Sequence, residues 1–261
     1  MVRRGSRGGL GLGGRIMKRG LLGVWLRTLL LQASFNYDRM IGVGFAFAIE
    51  PLLRGLPGGR VGERYRSGMR RATQFFNAHP YMAGMAMGAV ARAEFEEVPD
   101  ETVRRLRQAL VGPLGSIGDK LIWAGVLPIT VAVGLIVTAS VSPVAGAVTF
   151  LVLYNAVHLG VRTWALWAGW HEGKDVSRAL NAAGLQQSLR VVGPVAAVAV
   201  GFAIPVLGAW LARDYVWQAQ VGMVLVAGLA LVFSRWLLPT LGGLRYGLAA
   251  AAVALLVGWL W

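Results

Sequence analysis

Residues 112–119 read Gly-Pro-Leu-Gly-Ser-Ile-Gly-Asp and stand immediately before the longest apolar run of the chain. Three glycines and a proline so close together free backbone N–H and C=O groups from helical pairing, and membrane transporters use such interruptions to bind polar solute groups. Gly112, Pro113, Gly115 and Gly118 therefore predict a broken helix. Asp119 adds a carboxylate that, at a bilayer edge, must be hydrated, paired or functional. A plain loop with Asp119 as a helix cap fits the same residues. A second set is Asn36, Asp38 and Asn77, whose amide and carboxylate groups suit sugar hydroxyls. Taken singly, Asn36 and Asn77 also read as helix caps, and Asp38–Arg39 as a solvated pair. In a third set, Asn155 and His158 lie three positions apart and so share one helix face. They line a solute path or hydrogen-bond to a neighbouring helix. The tryptophans that follow, Trp164, Trp167 and Trp170, fit an interfacial belt.

Other chemistries are excluded by what is missing. The chain has no Cys and three His, which removes a thiol nucleophile, a disulfide framework, an iron-sulfur cluster and a Cys-rich metal site. It also lacks the Walker A phosphate loop, the His-Glu-x-x-His pair and the Gly-x-Ser-x-Gly elbow. No catalytic residue, metal site or cofactor is expected.

The elements that must position these polar groups are set by composition. Of 261 residues, 56% are hydrophobic and only 15% charged, too apolar for a soluble domain, in which charged residues approach a quarter. From 121 to 161 no residue carries a permanent charge, about twice the length one helix needs to cross the hydrocarbon. Ser140, Ser142 and Pro143 mark a turn between two such helices. The expected fold is all-α and membrane-integral, with about five spans at 121–139, 143–161, 191–212, 216–234 and 246–261. The region 21–120 has only short apolar stretches, which suit interfacial or re-entrant helical hairpins. Residues 94–111 read as a capped amphipathic helix on the cytoplasmic surface.

The formal charge of +14 is concentrated in residues 1–71, where 14 Lys or Arg face three acidic groups. Residues 1–20 form a basic Gly/Arg-rich leader with no apolar signal-peptide core, and positive-inside places it in the cytoplasm. Counting spans from there puts the carboxyl terminus outside. A basic region suggests anionic partners, either soluble proteins or lipid headgroups. Nucleic acid is not among them, because no nucleic-acid-binding fold accompanies the charge.

Together these residues resemble the IID membrane subunit of the mannose/fructose/sorbose family of bacterial phosphotransferase sugar transporters. The resemblance rests on Ser34-Phe35-Asn36-Tyr37-Asp38-Arg39-Met40 with Gly44-Phe45 and Pro51, and on Phe75-Phe76-Asn77-Ala78-His79-Pro80. The run 112–119 with Trp123, then Asn155, His158, Arg162 and Gly169-Trp170, complete it over about residues 24–175. Departures are Ala78, where the family has Thr, and the absence of a polar extracellular insertion after Ala212. The resemblance implies a non-catalytic subunit that pairs with a IIC partner, as higher oligomers of such pairs, to carry a hexose inward. Phosphate would come through separate IIA and IIB proteins. The basic leader would dock such an anionic carrier, or anionic lipid. Asn36, Asp38, Asn77, Asp119, Asn155 and His158 would lie near the path. A scaffold or sugar-responsive regulator without transport is the alternative.

Overall fold

The computed structural model describes residues 12–213 together with Trp217, Val221, Gly222 and Leu225; the expected spans 216–234 and 246–261 lie almost entirely outside the described residues. Within the described residues the regular structure is helical, with isolated bridges of Met40 to Asn36 and Phe76 in the connections. The helices are α1 (Leu12–Thr28), α2 (Gly42–Leu53), α3 (Glu63–Ala72), α4 (Ala83–Phe95), α5 (Asp100–Gly118), α6 (Leu127–Ser140), α7 (Pro143–Glu172), the short α8 (Ser177–Leu180) and α9 (Ala183–Ala212). Helix α1 begins inside the expected leader. The chain forms two compact units, Met1–Pro205 and Val206–Trp261. The first contains the hydrophobic core and every polar cluster discussed below. In the second, the described residues are the end of α9, Arg213 and the four isolated ones, and Arg213 stacks its guanidinium over Trp210.

Among the described residues, three helical runs are long and apolar enough to cross a membrane, Asp100–Ser140, Pro143–Asp175 and Ser177–Ala212. The expected turn between the first two is present. Ser142 caps α7 by accepting a hydrogen bond from the Ala145 amide at 3.1 Å, and Pro143 occupies the first turn, where a missing N–H costs nothing.

The expected break at Gly112, Pro113, Gly115 and Gly118 is corrected by the structure: α5 runs through all four. Val103, Arg107, Leu110, Leu114 and Gly118 form one buried stripe at helical spacing, and packing along that stripe holds the helix together despite the missing N–H of Pro113. The irregularity comes one turn later. Asp119–Val126 is a π-helical segment that closes with the Leu127 amide on the Ile122 carbonyl, and it joins α5 to α6 without interruption. The amphipathic helix expected at 94–111 is also corrected. It starts at Asp100, because Pro99 is extended (φ −54°, ψ 140°), and it is the first part of the same 41-residue run. Glu94 and Phe95 instead end α4.

Helix α4 lies at the centre. From Met82 to Ala93 every apolar side chain is buried, and α7 packs along it. A Cβ on Gly88 would overlap the Trp170 amide and the Leu166 carbonyl, and one on Gly169 would overlap the Met85 backbone. Small residues let two helix backbones approach this closely, the usual device for helix association in lipid. By contrast, Val144, Val148, Leu151 and Val152 on the first turns of α7 are exposed, as a surface facing lipid or another membrane subunit would be.

Candidate functional site

Two sequence strings are brought together by the loops that flank α2 and α3. The Ile41 amide donates to the Phe76 carbonyl at 3.1 Å and the Phe76 amide to the Arg39 carbonyl at 3.2 Å, fixing residues 36–41 against 75–80. From α5, buried Arg107 donates to the carbonyls of Ala72, Gln74 and Phe75 and lies over the Phe45 and Phe76 rings. A guanidinium suits this role because its planar fork serves several acceptors at once.

Between these loops and the outer face of α5 lies a cleft of ≈ 450 Å³, within the ordinary range of small-molecule sites. Gln32, Asn77, His79, Ser116, Asp119 and Trp123 supply its functional groups, and Gly112 and Gly115 line it as well. Both glycines have open space where a side chain would stand, so their absence of Cβ widens the cleft rather than breaking the helix. Gly118 acts differently. A Cβ there would overlap His79, so this glycine seats the imidazole against α5. Asp119 and Trp123 sit one turn apart on the π-helical segment, a local geometry that recurs at functional sites.

Of the sequence-predicted residues, Asn77, Asp119, Gly112 and Gly115 converge on the cleft. Asn36 instead closes its own turn, donating to the Ser34 carbonyl at 3.1 Å and accepting from the Arg39 amide at 2.9 Å. Asp38 is exposed on that turn and does not line the cleft. Asn155 and His158 lie on α7, outside the cleft lining but joined to its wall. Arg162 Nε donates to His158 Nε2 at 2.7 Å, which leaves Nδ1–H to face Asn155 Oδ1 at 3.3 Å, while Asn155 donates to the Leu151 carbonyl at 2.8 Å. Arg162, 5% exposed, also donates to the Thr28 carbonyl and lies over the Tyr81 ring at 4.6 Å, and among the described residues it forms no ion pair. Tyr81 in turn stacks on His158 with ring centres 4.3 Å apart, and its hydroxyl meets that of Tyr154 at 2.9 Å. His79 packs edge-on against Tyr81 and lies 5.2 Å from Trp123, which is 45% exposed.

Sequence spacing did not single out His79, Tyr81 and Arg162 as site residues. His79 is 2% exposed, its Nδ1 accepts from the Tyr81 amide at 3.2 Å, and its Nε2 has no partner. Burial pushes the imidazole down to about 4, with nearby Arg162 adding to the shift and Asp119 opposing it. The ring is therefore neutral at pH 7.

The family model for the IID component of the phosphotransferase system mannose/fructose/sorbose family matches residues 15–242. The chain belongs to this family. The mannose-specific EIID component of Escherichia coli (strain K12) is 30% identical over 178 residues, which cover 66% of this chain and 62% of that protein. The sorbose-specific EIID component of Klebsiella pneumoniae is 29% identical over 167 residues, covering 62% and 60%. The chain thus spans about three fifths of the length of these relatives. A solved structure described as that of a membrane protein superposes with a TM-score of 0.64 at 27% identity, over 72% of this chain and 70% of that one. A chain from the cryo-EM structure of the mannose transporter ManYZ with microcin E492 superposes with a TM-score of 0.56 at 24% identity, over 92% and 95%, which supports the fold. The chain is therefore a IID component by family and a multi-pass protein of the bacterial cytoplasmic membrane.

Proposed function

We propose that this IID chain acts with a IIC partner to carry a hexose inward, the phosphate being added by separate IIA and IIB proteins. The observation that carries the reading is the convergence of Asn77, Ser116 and Asp119 with Trp123 on one open cleft at the foot of an apolar helix. Hydroxyl-bearing solutes need such mixed donors and acceptors beside an apolar ring face. The exposed apolar turns of α7 would pack on IIC or lipid. The basic amino-terminal residues would face the cytoplasm, where they attract an anionic phosphocarrier over long range. IIC–IID pairs would assemble into a higher oligomer.

The test is hexose uptake by cells that express the chain with the IIC gene of its own neighbourhood and the IIA and IIB proteins. Asp119→Asn should lower uptake while the IIC–IID complex still forms. Unchanged uptake with unchanged assembly would remove Asp119 from the path, and absence of any hexose uptake by the unaltered complex would favour a scaffold role.

A further inference from the structure

Every buried polar group in a folded protein is expected to find a partner, and the exceptions call for an explanation. Among the described residues five buried side-chain atoms are such exceptions, on Ser34, Arg71, His79, Glu94 and Arg107, and of these His79 alone lines the cleft. Its Nδ1 accepts the Tyr81 amide proton, so in the neutral ring the single hydrogen must sit on Nε2. That Nε2–H is a buried donor with no acceptor, on a side chain that is 2% exposed and belongs to the cleft wall.

Leaving a donor unmade in this way costs free energy, and the surroundings hold it in place rather than relieve it. The ring cannot withdraw into α5, since it already lies on Gly118 where a Cβ would overlap it. Nor can the loop relax easily, because the His79 carbonyl accepts the Met82 and Ala83 amides that begin α4, at 2.9 and 3.0 Å. A ligand acceptor arriving in the cleft would complete the set.

The rest of the lining limits what that ligand is. Among the described residues that line the cleft, none is Lys or Arg, and Asp119 is the one carboxylate. A phosphorylated or otherwise anionic solute would meet a negative charge there with no counter-charge in the lining. A neutral polyol suits it instead, since one hydroxyl oxygen can accept from Nε2–H while a neighbouring hydroxyl donates to Asp119. The exposed Trp123 face offers the apolar contact.

We propose that His79 is a specificity-determining residue of the cleft, donating from Nε2–H to a hydroxyl oxygen of a neutral, unphosphorylated polyol that Asp119 holds by an adjacent hydroxyl. The inference rests on the transport reading above, and what it adds is the residue and the atom that reads the solute.

Two substitutions separate this role from a structural one. His79→Asn keeps an acceptor near the Nδ1 position for the Tyr81 amide but removes the Nε2 donor. His79→Gln places an amide N–H near Nε2 and gives up the Nδ1 contact. The experiment measures binding of radiolabelled mannose, fructose and sorbose, and of their phosphate esters, to membranes holding the full chain with its IIC partner and no IIA or IIB. The expected result is a Kd for the preferred sugar raised about ten-fold by Asn and about three-fold or less by Gln, as befits loss of one buried hydrogen bond. The phosphate esters should bind at least ten-fold more weakly than the parent sugars.

The opposite order, with Gln the more damaging, would mean that His79 only holds the loop, and equal Kd values for both variants would overturn the proposal as well. Binding by the phosphate ester as tight as by the sugar would overturn the assigned charge state. A wild-type complex that binds none of the three sugars would instead defeat the transport reading on which the proposal rests. If either variant fails to assemble, a readout on otherwise wild-type protein remains, because the chain has no Cys. Ser116→Cys then places a single thiol in this subunit on the cleft wall, and peptide-resolved maleimide labelling should be slowed by the bound sugar and not by its phosphate. Labelling unaffected by sugar would place the solute elsewhere and overturn the assignment.

Discussion

The two ends of α4 hold buried polar clusters of opposite character. At its carboxyl end Glu94, 1% exposed, is ion-paired with Arg71 and Arg64, and Arg71 also reaches Asp100. Three helices and a turn are tied together there, since Arg64 also donates to the Glu94 and Val98 carbonyls at 2.9 and 2.6 Å. At the amino end the groups are buried His79, half-buried Tyr81 and, across from them on α7, buried Arg162. Here the cation has only neutral acceptors and an aromatic face, and one donor has nothing. The first cluster balances charge within the chain, although Glu94 Oε2 and Arg71 Nε lack hydrogen-bond partners; the second holds a cation with no carboxylate and leaves a donor unused on the wall of a cleft. Balanced charge marks a structural joint, whereas an unpartnered donor that also lines a cleft marks a place where something else is expected to bind.

The sharpest way to break this contrast is to remove the shared anion of the charge-balanced cluster. Glu94→Ala leaves Arg64 without its carboxylate and buried Arg71 with only the more exposed Asp100, and the expected loss is about 3–5 kcal/mol. It should be seen as failure of the protein to accumulate in membranes, or as a large fall in detergent-solubilised Tm. Between the two ends, Gly88→Val drives a side chain into the α7 backbone and should cost about 1–3 kcal/mol by overpacking, read in the same melting assay.

At the open end the effects on stability should be smaller. Arg162→Lys cannot reproduce the forked donation to His158 and Thr28 and should cost about 1–2 kcal/mol, with sugar affinity reduced through the displaced Tyr81. The imidazole of His79 gives a pH signature. Its native pKa lies below the unfolded value, so its contribution to stability is complete above about pH 6.5 and is lost as pH falls toward 4. A Tm series should be flat from pH 8 to 7 and decline by on the order of 1 kcal/mol by pH 5.5, and His79→Gln should flatten that decline. Least of all, Asp119→Asn should leave Tm within about 0.5 kcal/mol of wild type, because the carboxylate is exposed and its effect belongs to solute binding.

Much of this arrangement was legible in the sequence where the signal is local. The charge-free run and the Ser142–Pro143 turn each name their element directly. Asn77 and Asp119 stood in separate sets in the sequence, and only the fold brings them to one cleft. What was misread is why the glycines of 112–118 are there. Counting Gly and Pro predicts a broken backbone, whereas the buried stripe of Val103, Arg107, Leu110 and Leu114 keeps the helix whole, and the glycines act on the space beside it. The role of His79 could not be read because it depends on Gly118, 39 positions away, and on a Tyr81 amide whose direction only the folded loop sets. Arg107 was hidden for a similar reason. Among the charges of an amphipathic helix nothing distinguishes the one that turns inward to hold the connection after α3.

Continuity of the Asp100–Ser140 run has a mechanical corollary. At 1.5 Å per residue its 41 residues make a strut about 60 Å long, roughly twice the hydrocarbon thickness of a bilayer. Half of it must therefore stand clear of the lipid tails, and no flexible linker separates Arg104 and Arg105 on its first turns from Asp119 at mid-length. A tilt imposed on the protruding portion is delivered to the carboxylate directly, with the wider π turn as the single compliant joint beyond it.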